Sequence, residues 1–175
     1  MDCDASGQRR HMADVIGVVM DSYLLAKSLH IFGAVIFLGN IVVTAVWKAL
    51  ADRTRNPAVI AYSQRLVTIT DFLFTALGAA LVLITGWFFL ARNFGGVNNV
   101  YWLSWGFWLF IASGVLWVAV LIPVQIMQSK LAKTFQSEHE VPEQYWRLSR
   151  VWEVVGTIAV ILPFSVLYLM IFKPT

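Results

Sequence analysis

The amino-acid sequence predicts an all-α protein that crosses a membrane as a four-helix bundle. The first observation is composition: 59% of the 175 residues are hydrophobic and only 13% are charged, whereas soluble domains average about 45–50% and about 25%. The second is that the apolar residues form four runs, each long enough to cross a bilayer as a helix, which takes about 20 residues. The third is that the basic residues gather between these runs.

Three connections of different character separate the predicted spans. The spans cover about residues 23–46, 72–91, 102–127 and 154–172, and residues 21–175 form one transmembrane domain. Polar loops, 47–71 and 128–153, follow the first and third spans. The second connection is short and rich in Asn and Gly, which are typical of turns. Residues 1–20 lack the apolar core of a signal peptide and are expected to form a polar N-terminal tail.

Positive charge predicts the orientation in the membrane. The two polar loops carry eight basic residues, which are Lys48, Arg53, Arg55, Arg65, Lys130, Lys133, Arg147 and Arg150. The middle connection holds only Arg92, and the C-terminus only Lys173. The positive-inside rule therefore places both polar loops in the cytoplasm and both termini outside. Because topology explains the net charge of +3, we expect no nucleic-acid partner.

Two segments before the second and fourth spans resemble each other. Residues 65–71 read RLVTITD and residues 147–153 read RLSRVWE, so each places Arg-Leu shortly before an acid, at an offset of 82 residues. This pattern favours two parallel helix-pair repeats. Helix N-termini attract acids and inner loops attract arginine, so the pattern would also arise without a duplication.

Polar and small residues follow one face of each of the first two spans. At about 100° per residue, one arc of the first span contains Lys27, His30, Gly33, Ala34, Phe37, Asn40 and Thr44. The second span has a stripe of Asp71, Thr75, Gly78, Val82 and Thr85. Polar groups in a membrane avoid lipid, so both faces are expected to look into the bundle.

His30 is the only histidine inside an apolar run, and an ionisable side chain at membrane depth marks a candidate functional site. Three roles are open: a packing group hydrogen-bonded to a neighbour, an axial ligand of a b-type haem or of a metal, and a proton relay or contact for a quinone-like substrate. Other residues share its depth or its helix face. They complete a candidate pocket lining of Lys27, Asn40, Thr85, Trp108 and Ser165.

No obvious second haem ligand accompanies His30. His11 lies in the polar tail and His139 in a polar loop, where both are expected to be solvated. Met170 lies near the outer surface and would reach His30 only if the bundle tilts. The lone Cys3 excludes a disulfide or a thiolate metal cluster within one chain. The sequence contains no nucleophile or phosphate-binding motif, so whether the protein is an enzyme stays open.

Two short motifs resemble a known family. The segment KSLHIFGAVIFLGN at 27–40 and the ending YLMIFKP at 168–174 resemble small bacterial inner-membrane proteins grouped as domain of unknown function twenty-two sixty-nine. A more distant resemblance is to HemJ-like protoporphyrinogen oxidases and CopD-like membrane domains, and it implies haem binding at His30. HemJ-like chains usually place a tryptophan and paired glycines after this histidine, where this chain has FLGN at 37–40.

These observations predict a multi-pass protein of the bacterial inner membrane that binds a b-type haem at His30 and has a redox role. Two alternatives are kept: a non-enzymatic accessory or structural subunit, and a small transporter that acts as an oligomer. The expected partners are the lipid bilayer and either further copies of the chain or a membrane complex.

Overall fold

A computed structural model describes residues 3–135 and 140–174, without the side chains of 3–11, 13–16, 18–19, 91, 93 and 98. Its α-helices are α1 (Cys3–Thr54), α2 (Pro57–Thr70), α3 (Ala76–Phe89), α4 (Tyr101–Leu116), α5 (Ile122–Phe135) and α6 (Glu143–Phe172). Five-residue π-helical turns join α2 to α3 (Asp71–Thr75) and α4 to α5 (Trp117–Leu121). A third π-helical turn (Leu90–Phe94) and a short 3-10 turn (Val97–Asn99) lead from α3 to α4.

In the described part of the chain these helices form four continuous helical segments that are long and apolar enough to cross a membrane, which confirms the predicted fold class. The segments, called spans 1 to 4, are Met20–Thr54, Pro57–Phe89, Tyr101–Phe135 and Glu143–Phe172. They are longer than the apolar runs, because most of the described part of both predicted polar loops is helical. The expectation of loops there was wrong: helical backbone hydrogen bonds do not require apolar side chains. The helix of span 1 likewise extends back to Cys3, through the predicted tail.

The helix ends follow from local chemistry. Between α1 and α2 only Arg55 and Asn56 are non-helical, and Arg55 adopts a positive φ of 52°. The Asn56 side chain caps α2 by accepting hydrogen bonds from the backbone N–H groups of Ala58 and Val59, and Pro57 occupies the first turn, where no N–H is needed. At the far end of α6, Lys173 is left-handed and its N–H reaches the Leu169 carbonyl at 3.0 Å.

Spans 1 and 2 form a first hairpin, and spans 3 and 4 form a second. Within them, α1 packs along α3 and α4 packs along α6. The hairpins meet mainly where α2 packs on α5, at the end of the bundle that carries the eight basic residues, called the basic end. Towards the opposite end, no Cα atom of α3 lies within 8 Å of one in α4 or α6. The backbones of the two hairpins are therefore in close contact at the basic end and farther apart at the opposite end.

A pair of glycines brings spans 1 and 2 together. A Cβ atom built on Gly78 would lie 2.8 Å from the Gly33 carbonyl oxygen and 2.9 Å from the backbone nitrogen of Phe37. A Cβ atom on Gly33 would lie 3.1 Å from the Gly78 carbonyl oxygen. Small residues allow close approach of helix backbones in membranes, so this crossing requires glycine at both positions.

A proline joins the helices of the second hairpin. Pro163 lies inside α6 and has no N–H, so the Ala159 carbonyl four residues earlier lacks its usual donor. The Ser113 hydroxyl of span 3 donates to that carbonyl at 2.9 Å. Unpaired backbone groups are costly in a membrane, so the hydrogen bond repairs the helix and fixes the position of span 4 against span 3.

Candidate functional site

A cavity of about 400 Å³ lies between the two hairpins, midway along the bundle. All four spans contribute to this central cavity, and its surface is mostly apolar. Both connecting π-helical turns reach its wall, through Asp71 and Thr75 on one side and Trp117 and Leu121 on the other. Such turns recur at functional sites because they redirect side chains within a helix.

Asp71 is the centre of a hydrogen-bonded cluster on the cavity wall. Its Oδ1 accepts from Asn40 Nδ2 at 3.0 Å and from the Thr75 hydroxyl at 3.2 Å, and its Oδ2 accepts from Gln125 Nε2. Asn40 Nδ2 also lies 2.9 Å from Thr75 Oγ1. This Asp71 cluster connects spans 1, 2 and 3, and only 6% of Asp71 is exposed.

Several polar atoms of residues on the cavity wall have no protein partner. Gln125 gives its amide nitrogen to Asp71, but its Oε1 is buried without a hydrogen bond. The indole nitrogens of Trp117 and Trp152 are also buried without a partner among the described residues. Buried polar groups are nearly always paired. Five further unpaired buried atoms, on Ser63, Gln64 and Gln128, lie outside the cavity lining, so the unpaired groups support a polar ligand only together with the cavity itself.

The cavity carries acidic but no basic groups. Asp71 and Glu153 both line it, whereas its described lining contains no lysine, arginine or histidine. The two acids are the pair separated by 82 residues in the sequence, and Thr75 and Thr157, which have the same separation, also line the cavity. Their environments differ, because Asp71 and Thr75 are buried and Glu153 and Thr157 are exposed.

Next to the cavity, at the basic end, four residues form a second buried network, called the basic-end cluster. Lys48 Nζ donates to Asp52 and to the Tyr145 hydroxyl, both at 2.9 Å. The Tyr145 hydroxyl donates to Asp52 at 2.9 Å, and the Ser149 hydroxyl does so at 2.7 Å. Lys48 and Asp52 belong to span 1 and the other two to span 4, so this cluster joins the two hairpins.

His30 lines a different and smaller cavity, of about 80 Å³, nearer the opposite end. Its Nδ1 lies 2.7 Å from the Thr85 hydroxyl, which itself donates to the Leu81 carbonyl at 2.5 Å. Which of the two groups donates depends on the tautomer of the imidazole ring. Met170 of the other hairpin lines the same His30 pocket.

The six predicted pocket residues occupy several places. His30 and Thr85 are hydrogen-bonded to each other, while Asn40 belongs to the Asp71 cluster. Of the six, His30 alone belongs to the described lining of either cavity. Lys27 and Trp108 are exposed, and Ser165 donates to the carbonyl of Ile161 in its own helix. His139 lies outside the described residues, as does the side chain of His11. No group of three His, Cys, Asp or Glu residues suited to a metal occurs among the residues that the structure describes.

Sequence reasoning missed most of the basic-end cluster as a site. The signal was present: Lys48 and Asp52 are four residues apart, the spacing of an ion pair on one helix face. Both residues lie in a stretch whose polar composition predicts a loop, which hides the helical spacing. Gln125, a polar residue in an apolar run, was visible on span 3, but its partner Asp71 is 54 residues away and the contact depends on how the hairpins pack.

The comparisons with known proteins bear on the family. The sequence profile described as "Predicted integral membrane protein (DUF2269)" matches residues 24–174. The match includes every residue that lines the central cavity and the His30 pocket. No curated protein and no solved structure matches the chain.

Proposed function

Because the chain belongs to this family of predicted integral membrane proteins, its cavities lie within a membrane-spanning bundle, and we propose that the protein binds a small lipophilic molecule in the central cavity. One observation carries the proposal: the cavity is large, mostly apolar, and flanked by buried polar atoms without partners. Its volume of about 400 Å³ lies within the range of about 300–1,000 Å³ that is typical of ligand pockets.

The wall of the cavity indicates how a ligand would reach it. Glu153, Thr157 and Ile161 line the cavity and are also exposed on the surface of span 4. Ala49 of span 1 is likewise both lining and exposed. The cavity therefore opens sideways between spans 1 and 4, and a molecule dissolved in the bilayer can enter without crossing the basic end.

The test fills the cavity without disturbing the backbone. Gly114 and Gly156 line the cavity, and a Cβ atom on either meets no other atom within 4 Å. Gly114→Leu and Gly156→Leu should therefore fold and occupy the ligand's space. Gly39→Leu is the matched control, since Gly39 has the same free space but is exposed and outside the cavity.

The measurement is mass spectrometry of organic extracts from the purified full chain. We expect a compound that co-purifies with the wild type and with Gly39→Leu and is depleted in the two cavity variants. A compound retained equally by all four proteins, or none above the detergent background, would contradict binding in the central cavity.

Haem at His30 is the second candidate, and one observation favours it. His30 and Met170 lie on opposite hairpins and line one pocket, and histidine with methionine is an established axial pair for haem iron. At about 80 Å³ the pocket is far smaller than the roughly 300 Å³ at which ligand pockets begin. A porphyrin would fit only if the hairpins separated at the opposite end, where their backbones are farther apart.

An absorption spectrum tests this second candidate. Protein expressed with an ample haem supply should show a Soret band, which His30→Ala should abolish and Met170→Leu should shift. A colourless wild-type protein, or a band unchanged in both variants, would count against haem at His30. A redox role depends on that result.

Orientation and assembly are part of the proposal. We propose that the protein resides in the bacterial inner membrane with the basic end in the cytoplasm and both termini outside, because all eight loop charges lie at that end. In a Cys3→Ser background, Lys173→Cys should react with an impermeant thiol reagent in whole cells and Arg150→Cys should not. The reverse labelling would overturn this orientation. Assembly as a homo-oligomer, a transporter or an accessory subunit of a complex stays a prediction that native mass spectrometry can test.

A further inference from the structure

We infer that the molecule bound in the central cavity is a lipophilic amine in its protonated, cationic form. This inference rests on the proposed function and adds the charge and the hydrogen-bonding character of the ligand. It follows from the acids that line the cavity, from an unpaired acceptor beside one of them, and from the aromatic rings around them.

The charges around the cavity are unbalanced. Asp71 accepts hydrogen bonds from the neutral side chains of Asn40, Thr75 and Gln125, and no ion pair to Asp71 occurs in the described part of the chain. A buried acid without a cationic partner either bears a high cost or is neutralised by taking up a proton. A cationic ligand between the hairpins would supply that charge.

Glu153 is the second acid, at the mouth of the cavity. It is exposed, and its hydrogen bond with the Ser149 hydroxyl is long, at 3.5 Å. Lys48 interacts with it electrostatically. However, the Lys48 ammonium is bonded to Asp52 and Tyr145, so the charge of Lys48 is already matched. Glu153 therefore remains available to attract a cation from the bilayer.

The unpaired acceptor favours a cation that carries N–H groups. Gln125 is 1% exposed, and its Oε1 has no hydrogen-bond partner. Its amide group adjoins Asp71, and Oε1 is enclosed in the cavity wall. An ammonium group bound there would donate to both residues once the amide turns toward the cavity. A quaternary ammonium ion has no such donor and would leave Oε1 unpaired.

Aromatic side chains complete the environment. Phe37, Phe110, Trp117 and Trp152 line the cavity, and Phe37 and Phe110 contact each other with ring centroids 5.8 Å apart. Aromatic faces attract ammonium groups, most strongly where water is excluded. The free indole N–H groups would suit an anionic or neutral oxygen, but an anion would be repelled by both acids.

The experiment compares three ligands that share one cage and differ in charge. 1-Adamantylammonium, neutral 1-adamantanol and anionic 1-adamantanecarboxylate are titrated at neutral pH into the full chain in detergent, and binding is followed by calorimetry. We expect the ammonium to bind at least about tenfold more tightly than the alcohol, the factor equal to one contact of about 1.4 kcal/mol. The carboxylate should bind more weakly than both.

Variants locate the charge effect. Glu153→Gln should reduce the preference for the ammonium, and Asp71→Asn should reduce it further. Because Asp71→Asn alters a buried cluster, the exposed Glu153 is the variant on which the result depends. Glu143→Gln is the matched control, since Glu143 is an exposed acid of the same helix outside the cavity. It should leave all three affinities unchanged.

The outcomes separate the two proposals. Equal or tighter binding of the alcohol or the carboxylate, blocked by Gly156→Leu, overturns the amine inference and leaves the binding function standing. A preference for the ammonium that Glu143→Gln reduces as much as Glu153→Gln does also overturns the inference. Binding by none of the three ligands overturns the inference, and the extraction experiment then decides the binding function independently.

Discussion

Replacing Lys48 by methionine should strongly destabilise the protein, because it leaves a buried carboxylate without its cation. Lys48 is 1% exposed and Asp52 is 9% exposed, with their charged atoms 2.9 Å apart. Lys48→Met keeps most of the volume but leaves the Asp52 carboxylate with only the hydroxyl groups of Tyr145 and Ser149 as donors. Removing one partner of a buried ion pair costs about 3–5 kcal/mol.

Removing both charges of the Lys48–Asp52 pair should reduce stability much less than removing one of them. A double variant, Lys48→Met with Asp52→Leu, removes both charges, and such replacements are often neutral or stabilising. We therefore expect the double variant to lie within about 1 kcal/mol of the wild type, because the uncompensated charge is what costs energy. Lys130→Met is the control, since Lys130 is exposed on span 3, and it should change stability by no more than about 0.5 kcal/mol.

The assay is the free energy of unfolding, measured by titrating the protein from mild detergent into sodium dodecyl sulfate and following helicity. A loss below about 1 kcal/mol for Lys48→Met would refute the reasoning, since that is the value for exposed pairs. A double variant as unstable as the sum of the two single variants would also refute it, because the charges would then not be coupled.

The same assay tests three further predictions. Gly78→Ala should reduce the free energy of unfolding by about 1–3 kcal/mol through overpacking, because its Cβ would lie 2.8 Å from the Gly33 oxygen. Gly39→Ala should not destabilise the protein, because a Cβ atom there meets no other atom within 4 Å. Equal losses of stability in the two variants would contradict the close crossing of spans 1 and 2. Ser113→Ala should cost about 1–2 kcal/mol, since the Ala159 carbonyl loses its donor, and adding Pro163→Ala should remove that loss. Asn56→Ala should cost about 1 kcal/mol, because it removes the side chain that caps α2. Asn56→Asp should retain most of the wild-type stability, because aspartate also caps helices.

The two hairpins are in contact at the basic end, and both cavities lie beyond that contact. The hairpins are held together at the basic end by the packing of α2 on α5 and by the basic-end cluster. Above this end the central cavity and the His30 pocket lie one beyond the other between the hairpins, and Phe110 borders both. The packed basic end thus positions the cavity walls, and the proposed ligand site lies where the backbones are farther apart.

Periodicity predicted the faces of the spans because it is a local property of a helix. The spacing predicts inward positions for the small residues Gly33 and Gly78, and both lie in the crossing of spans 1 and 2. It predicts one stripe for Asp71, Thr75 and Thr85, and all three are buried. An inward face follows from a repeat of about 3.6 residues along one helix. This repeat can be identified in the sequence of a single span, without knowing which spans pack against it.

The sequence by itself determined the four spans, the basic end and the polar stripes, since these depend on hydropathy, charge and helical spacing. The sequence did not determine where the helices end. Hydropathy identifies the part of a helix that crosses the apolar layer of the membrane, and a helix can continue beyond that layer. Only the tertiary structure decided that Asn40 forms a hydrogen bond with Asp71 and lies apart from His30. It also decided that Lys48 forms a hydrogen bond with Tyr145, which is 97 residues away in the sequence, and that a cavity lies between the hairpins. The physical reason is that helical spacing determines which side chains share a face of each span, whereas the packing of one hairpin on the other determines which faces come into contact.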